Sequence, residues 1–304
     1  MNILVTGSNG FIGGHVSSFL KSKGHYVIGL GRRSQEIPWN YRGVLQSLDE
    51  YICCDLSTDE VYNIPKKVGV HIDAVIHLAA DMRKEPHCVE VISANCCGTQ
   101  RLLEMCESSG ISTFLQLSSL PVIGHPIEHP ITETHPLNPY TVYHITKRTE
   151  ELLANYASDY RGVRTASFRI SAPIGPRVNP DTIFPTFVRC ALTNEDLVLF
   201  GQGSRRQNYV YVGDIARCLE LSVDNKHVRG VYNLTSDLLI SNVALAEMVI
   251  RTLNSKSVIK FEGSDAQDSY VWDASIEKIR RDAGYCPQAK MEDVIKEYAD
   301  WLKA

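Results

Sequence analysis

Tyr143 and Lys147 stand four residues apart in a stretch, 139–160, whose apolar residues (Tyr143, Ile145, Leu152, Leu153, Tyr156) recur at helical spacing. On a helix that step stacks the phenol and the ammonium on one face. A free phenol titrates near 10 and is a poor base at neutral pH, but a neighbouring positive charge favours the phenolate. Tyr143 is then suited to exchange a proton with a hydroxyl or carbonyl oxygen. Ser119 closes an apolar run, Ser112-Thr113-Phe114-Leu115-Gln116-Leu117, and would hydrogen-bond that same oxygen as charge develops on it. A Tyr-x-x-x-Lys step also arises on ordinary amphipathic helices, so its meaning depends on what lies nearby.

The first residues of the chain supply that context. Asn2-Ile3-Leu4-Val5 reads as a strand buried on both faces, and Thr6-Gly7-Ser8-Asn9-Gly10-Phe11-Ile12-Gly13 follows at once. Gly7 permits a tight turn, Gly10 lets backbone approach a ligand, and Gly13 lets the next helix pack on the strand. Turn N–H groups and the positive helix end suit a pyrophosphate, which predicts a bound dinucleotide. The GxxGxxG spacing is one residue longer at its first gap than the common fingerprint. A nicotinamide at this site would carry the hydride, and Lys147 would also hold its ribose.

A second strand, 25–30, ends in Gly31-Arg32-Arg33. An acid there would take the ribose 2′-hydroxyl of NAD, whereas arginine takes a 2′-phosphate, so Arg32 and Arg33 predict NADP(H), with NAD(H) the alternative. Residues 34–48 read as a loop. A third strand, 51–56, reaches Asp55 and Leu56; Asp55 is read as an acceptor for the adenine amino group or as a helix cap before Ser57 and Thr58. A fourth strand, 73–80, ends in Leu78, Ala79 and Ala80, small or slim enough for a cofactor to lie across, with His77 as a core histidine. A long helix over 86–109 carries Asn95 at its middle, where an amide has no helical advantage and a tertiary hydrogen bond is expected.

This alternation predicts an α/β fold, a Rossmann-type doubly wound parallel sheet with its ligand at the carboxyl ends of the strands, and a smaller C-terminal substrate-binding lobe. Residues 1–170 are expected to form the NAD(P)-binding domain and 171–304 mainly the lobe, with about 208–240 returning to the first domain. In the second half, strands are read at 197–200, 209–212 and 231–234. Asp214 is placed near the positive end of a helix, Ser241 as a helix cap, a further helix starts at Asp273 or Ser275, and a final one covers 291–302. Trp272 and Trp301 are read as packing residues.

A net charge of −4 without a basic stripe argues against a nucleic-acid partner, and no apolar run reaches the length of a membrane span. Met1 leads directly into the first strand, so no signal peptide is expected. Nine cysteines without a CxxC pair or a Cys/His metal spacing read as reduced packing residues of a cytoplasmic protein that binds no metal.

Along nearly its whole length the chain resembles the extended short-chain dehydrogenases/reductases, the family of UDP-galactose 4-epimerase. The likeness includes TGSNGFIGGH at 6–15, CDLS at 54–57, VIHLAA at 75–80, NCCGTQRLLE at 95–104, SSLPVIG at 118–124, YHITK at 143–147, FRISAPIGP at 168–176, GQGSRRQNYVYVGDIA at 201–216, YNL at 232–234 and DASIEKIRRDAGYCP at 273–287. The resemblance implies a catalytic set of Ser119, Tyr143 and Lys147 and cofactor contacts at Gly7, Gly10, Phe11, Ile12, Gly13, Asp55, Leu56, Leu78, Ala79, Ala80 and Asn95. It also implies a nucleotide-sugar substrate and a homodimer paired through the helices of Asn95 and of Tyr143. Three departures refine this. The 4,6-dehydratases put Asp-Glu directly after the hydroxyl residue, where Leu120-Pro121 stand here, which argues against dehydration. The NAD-retaining epimerases have an acid in place of Gly31. The family's Arg-Asp is Gln207-Asn208, and an arginine expected near 263–266 is missing, leaving Arg177, Arg205 and Arg206 as candidates to hold a substrate diphosphate. The expectation is an NADP(H)-dependent oxidoreductase or epimerase acting at a carbinol carbon of a nucleotide-sugar. The alternatives are an NADPH-dependent carbonyl reductase for a non-nucleotide ketone and a non-catalytic NADP(H)-sensing regulator.

Overall fold

The computed structural model describes residues 1–32 and 47–304, so Arg33 and most of the expected 34–48 loop lie outside the described residues. The strands are β1 (Asn2–Thr6), β2 (Tyr26–Gly31), β3 (Glu50–Cys53), β4 (Ala74–His77), β5 (Thr113–Ser119), β6 (Arg164–Ile170), β7 (Ala172–Ile174), β8 (Leu197–Phe200), β9 (Arg206–Tyr211), β10 (Gly230–Leu234), β11 (Leu239–Ser241), β12 (Ile259–Glu262) and β13 (Val271–Trp272). Seven of them form one parallel sheet in the order β10-β6-β5-β4-β1-β2-β3. The chain runs outward from β1 to β3, then restarts at β4 on the other side of β1. That reversal opens a crevice at the carboxyl ends of β1 and β4, beside Thr6 and His77, which pair in register.

Both faces of the sheet are covered, which is why its strands read as unbroken apolar runs. Ile3 and Val5 of β1 enter one core with Val16 and Leu20 of the Phe11–Ser22 helix and Ile215 and Leu219 of the Val212–Val223 helix. Leu4, between them, points the other way, into a core with Leu102 and Met105 of the Gly98–Ser108 helix. The expected 86–109 helix is three consecutive segments, Cys88–Ile92, a π-helical turn Ser93–Cys97 and Gly98–Ser108. Asn95 lies in the π-turn, a distortion that concentrates at functional sites.

The third strand is shorter than its expected span, ending at Cys53, because Asp55 turns back on Ser57; the fourth ends at His77. A third core, with Phe184, Phe187, Tyr209, Leu245, Ile295 and Tyr298, lies under a second sheet, β11-β9-β13 with β7 on β9. Of the 208–240 stretch, β9 therefore stays with the second sheet. Val212–Val223 packs back on Phe11–Ser22, and β10 joins β6. Ser241 caps its helix through Ala244 N–H at 3.1 Å, and the helix expected from Asp273 or Ser275 is Glu277–Ala283. Trp272 is buried with Leu120, Ile123 and Ile131, while Trp301 stacks on Tyr298 and stays partly exposed.

All nine cysteines are free; Cys54, Cys106 and Cys218 pack in cores, whereas Cys53, Cys97 and Cys286 are exposed, so packing explains only part of the set. Among the described residues there is no cluster of metal-ligating side chains, and no helix is long and apolar enough to cross a membrane.

Candidate active site

The glycine turn is held so tightly that its glycines are sterically required. Gly7 has φ +67°, and a Cβ there would lie 2.8 Å from Ala79 N; a Cβ on Gly13 would come within 2.1 Å of Gly7 O. Thr6 stitches the crevice shut at its base. Its Oγ1 accepts from Leu78 and Ala79 N–H, both at 3.1 Å, and its own proton goes to His77 Nδ1 at 2.7 Å. His77 Nε2 is then left to donate to Thr99 Oγ1 at 3.0 Å, a neutral tautomer that fits a pKa pushed down to about 3 by burial and by Lys147. His77 is thus a satisfied core residue, as its sequence context suggests. Two polar atoms of the turn, Ser8 Oγ and Asn9 Oδ1, are buried without a hydrogen-bond partner among the described residues. Together with the N–H groups of the first helical turn at Phe11 and Ile12, they fit a polar ligand lying on the turn.

At the end of β2, a Cβ on Gly31 would lie 2.6 Å from the Tyr51 hydroxyl, which Asn9 Nδ2 holds at 2.8 Å. Arg32 is about half exposed, and its Nη1 stands 3.7 Å from Asp81 Oδ2. Asp81 is buried and clasped by Arg83 through three hydrogen bonds of 2.7–3.0 Å. Asp55 Oδ1 accepts from both the N–H and the hydroxyl of Ser57, at 2.9 and 2.8 Å, a local turn; the next helical segment, Asp59–Asn63, starts at Thr58, so Asp55 does not cap it. Burial raises this carboxyl, but the Ser57 bonds and the Arg32 charge outweigh it and hold it low. Leu56 is buried against Gly98, Leu78 and Ala79 are half-buried, and Ala80 is exposed.

The Val142–Tyr160 helix starts at Thr141, whose hydroxyl accepts from His144 N–H, and so Tyr143 occupies its first turn. Two long-range ties set its position. Glu151 and Arg169 of β6 form a bidentate pair, both bonds 2.8 Å, fully inside the protein. Asn95 donates to Thr146 Oγ1 at 3.0 Å and to Asp81 O at 2.9 Å, and accepts from Asp81 N–H at 2.7 Å. The tertiary hydrogen bond expected for Asn95 exists, and it ties the helix to the segment after β4. Ser118 donates to Glu151 Oε1 at 2.7 Å, so alternation along β5 leaves Ser119 on the other face, half-buried at the strand end.

The proton chemistry differs from expectation in one respect. Lys147 does pull the Tyr143 phenol down, but burial raises it more, and Glu150 adds to the rise. Glu150 was not singled out in the sequence, although its place one turn after Lys147 was readable. Its Oε2 accepts from Lys147 Nζ at 2.6 Å.

The three candidate arginines do not converge. Arg177, at φ 73°, donates from Nη2 to the carbonyls of Asn9 and Gly10, at 3.2 and 3.3 Å, and Pro176 O lies 2.9 Å from a ring nitrogen of His15; this loop holds the glycine turn. Arg205 Nη2 donates to Gln207 Oε1 at 3.4 Å, and exposed Arg206 lines a cavity of about 450 Å³ with Gln202, Ser204, Ile240 and Val243. Asn208 is a structural residue whose Oδ1 accepts from Ala274 N–H at 2.8 Å.

A parallel sheet with a glycine turn at its switch point, and a buried Tyr-x-x-x-Lys helix tied to it, define the extended short-chain dehydrogenases/reductases. Residues 3–235 match the model of the NAD dependent epimerase/dehydratase family, and the chain belongs to that family of enzymes. It is 28% identical to the uncharacterized UDP-glucose epimerase YtcB of Bacillus subtilis, over 100% of this chain and 98% of that one. It is 27% identical to the dTDP-glucose 4,6-dehydratase of an Actinoplanes species, again over 100% and 98%. Among solved structures it resembles the UDP-glucuronic acid 4-epimerase of Bacillus cereus in complex with UDP-glucuronic acid and NAD, with TM-score 0.85 and 24% identity over 100% and 99% of the two chains.

Proposed function

We propose that this enzyme uses NADP(H) to transfer hydride at a carbinol carbon of a nucleotide-sugar, as a reductase, dehydrogenase or epimerase, and that it is not a 4,6-dehydratase. The observation that carries the reading is the helix of Tyr143 and Lys147, held against the dinucleotide crevice by Asn95 and by the Glu151–Arg169 pair. When bound, the nicotinamide supplies or takes the hydride. The glycine turn, with Gly7, Gly10, Phe11, Ile12 and Gly13, holds the pyrophosphate through backbone N–H groups. Tyr143 gives a proton to, or takes one from, the substrate oxygen, Ser119 hydrogen-bonds that oxygen, and the Lys147 charge acts on the phenol.

Support for NADP(H) comes from the end of β2. An acid in place of Gly31 would need Tyr51 to leave Asn9, and half-exposed Arg32 offers a planar donor fork for a 2′-phosphate. Support against dehydration comes from Leu120, buried, and Pro121, both inside a 3₁₀ turn directly after Ser119 and neither able to move a proton. The nucleotide-sugar is supported by relatives whose names carry one, and Arg205 and Arg206 are this chain's candidates to hold its diphosphate. A homodimer is supported by exposed apolar residues on the two paired helices, Val89, Ile92, Ile145, Leu152, Tyr156 and Tyr160.

The absence of a second-lobe arginine at Gln207 and Asn208 favours one other reading, a carbonyl reductase for a non-nucleotide ketone. A thermal-shift panel of UDP, GDP, CDP and dTDP separates the two, since a ligand of the native state raises its melting temperature. The Tyr143→Phe variant is expected to bind dinucleotide normally and to lose at least about 10²-fold in turnover, the scale of general acid–base catalysis. Full activity in that variant refutes the mechanism, and tighter binding of NADH than of NADPH refutes the cofactor assignment.

A further inference from the structure

Lys147 has a counter-charge on its own helix. Its Nζ donates to Glu150 Oε2 at 2.6 Å, with side chains only 4% and 1% exposed. Glu150 Oε1 is buried with no hydrogen-bond partner among the described residues. A carboxylate placed only to brace the fold would have both oxygens satisfied, as Glu151 has through Arg169, Ser118 and Arg148. Glu150 instead has Lys147 as its hydrogen-bond partner.

We propose that Glu150 is a positioning residue that cancels the Lys147 charge and so keeps the Tyr143 hydroxyl protonated, biasing the site toward giving a proton to a carbonyl oxygen over taking one from an alcohol. This rests on the reading of Tyr143 as the proton-exchanging group. In the favoured direction the carbonyl carbon gains a hydride from the reduced dinucleotide, and the carbonyl oxygen gains the phenol proton. The dinucleotide is left oxidised, and the phenolate regains its proton from water. The same bias fits a cofactor that arrives reduced and leaves oxidised better than one retained through both half-reactions.

The surroundings leave this pair in control of the local charge. On the same helix, Tyr143 and Glu151 face it, and Glu151 is engaged with Arg169 of β6 and Ser118 of β5. From the π-turn, Cys96 faces Glu150, and burial with the Glu150 charge pushes its thiol up to about 11. From β4, His77 is kept neutral by burial and by Lys147, and burial also holds His144, edge-on to Tyr143, below its usual value. Burial pushes Glu150 itself up against the pull of Lys147. With the carboxylate formed the phenol is damped; with it protonated Lys147 acts on the phenol uncompensated.

The test is an alkaline absorbance titration of tyrosinate in the full-length protein. Each protein is measured minus its own Tyr143→Phe counterpart, which isolates one phenol among 14 tyrosines. The Tyr143 midpoint in E150Q is expected to fall by at least about 1 pH unit, the lower end of what one buried neighbouring charge does. A phenol that resists titration until alkaline unfolding in the wild type but titrates in E150Q is the same result. An unchanged or higher midpoint overturns the proposal. Should E150Q fail to fold, E150D, which draws the carboxylate back by one methylene, is expected to give a smaller fall, and no fall overturns it. The titration needs neither substrate nor dinucleotide, so its failure is distinct from retained activity in Tyr143→Phe, which would remove the functional reading instead.

Discussion

Replacing Glu151 with Met strands a guanidinium that has no route to water. Arg169 is 2% exposed, and two of its N–H groups donate to Glu151 at 2.8 Å; what remains is one bond of 3.2 Å to Glu133 O. Arg148, the other cation on Glu151, is 30% exposed and turns to solvent when the carboxylate goes. The loss is therefore set by the buried, unpaired Arg169, about 3–5 kcal/mol, with the orphaned Ser118 hydroxyl adding about 1 kcal/mol. At roughly 2–4 °C per kcal/mol for a large single chain, a loss of about 4–6 kcal/mol lowers the melting temperature by roughly 8–24 °C. The Glu151→Met/Arg169→Met double variant removes both charges and fills the space with thioethers, so it is expected to recover most of the loss. Urea unfolding of the wild type, both single variants and the double variant gives the coupling energy, expected at about 2 kcal/mol or more. Single variants that lose under about 1 kcal/mol, or losses that simply add in the double variant, would refute the claim that this pair holds the catalytic helix on β6.

Gly13→Ala places a methyl 2.1 Å from Gly7 O and 2.9 Å from Ser8 Cα, backbone atoms that move only if the turn opens. It is expected to cost about 1–3 kcal/mol in thermal unfolding and to abolish dinucleotide binding in a fluorescence titration; normal binding would show that the turn is not the cofactor cradle. His77, with a folded pKa of about 3 against an ordinary value near 6.5, is protonated on unfolding before it is protonated in the fold. Its contribution is complete above about pH 6.5 and is lost as pH falls toward 3, at up to about 1.4 kcal/mol per unit. Between pH 7.5 and 4.5 the wild type should lose about 2–3 kcal/mol more than His77→Gln in urea unfolding, and equal losses would contradict the neutral buried tautomer.

The parts of this site that follow from backbone periodicity were readable in the sequence. A four-residue step puts Tyr143 and Lys147 on one helix face wherever the helix goes, and the strand–glycine–helix order places Gly7, Gly10 and Gly13 at the mouth of the crevice. Asn95 was legible as an amide in need of a partner, but its partners, Asp81 and Thr146, come from separate segments that meet only in the fold. Arg177 was one of three candidates for a substrate diphosphate, offered because the expected arginines are missing; which way a loop arginine turns has no local sign, and folding brings its Nη2 onto carbonyls of the glycine turn. Glu150 shows the division within a single residue. Its spacing from Lys147 is local and determined by sequence, while the loss of water around both, which turns an ordinary surface pair into a control on the phenol, exists only once β4, β5 and the π-turn close over that face.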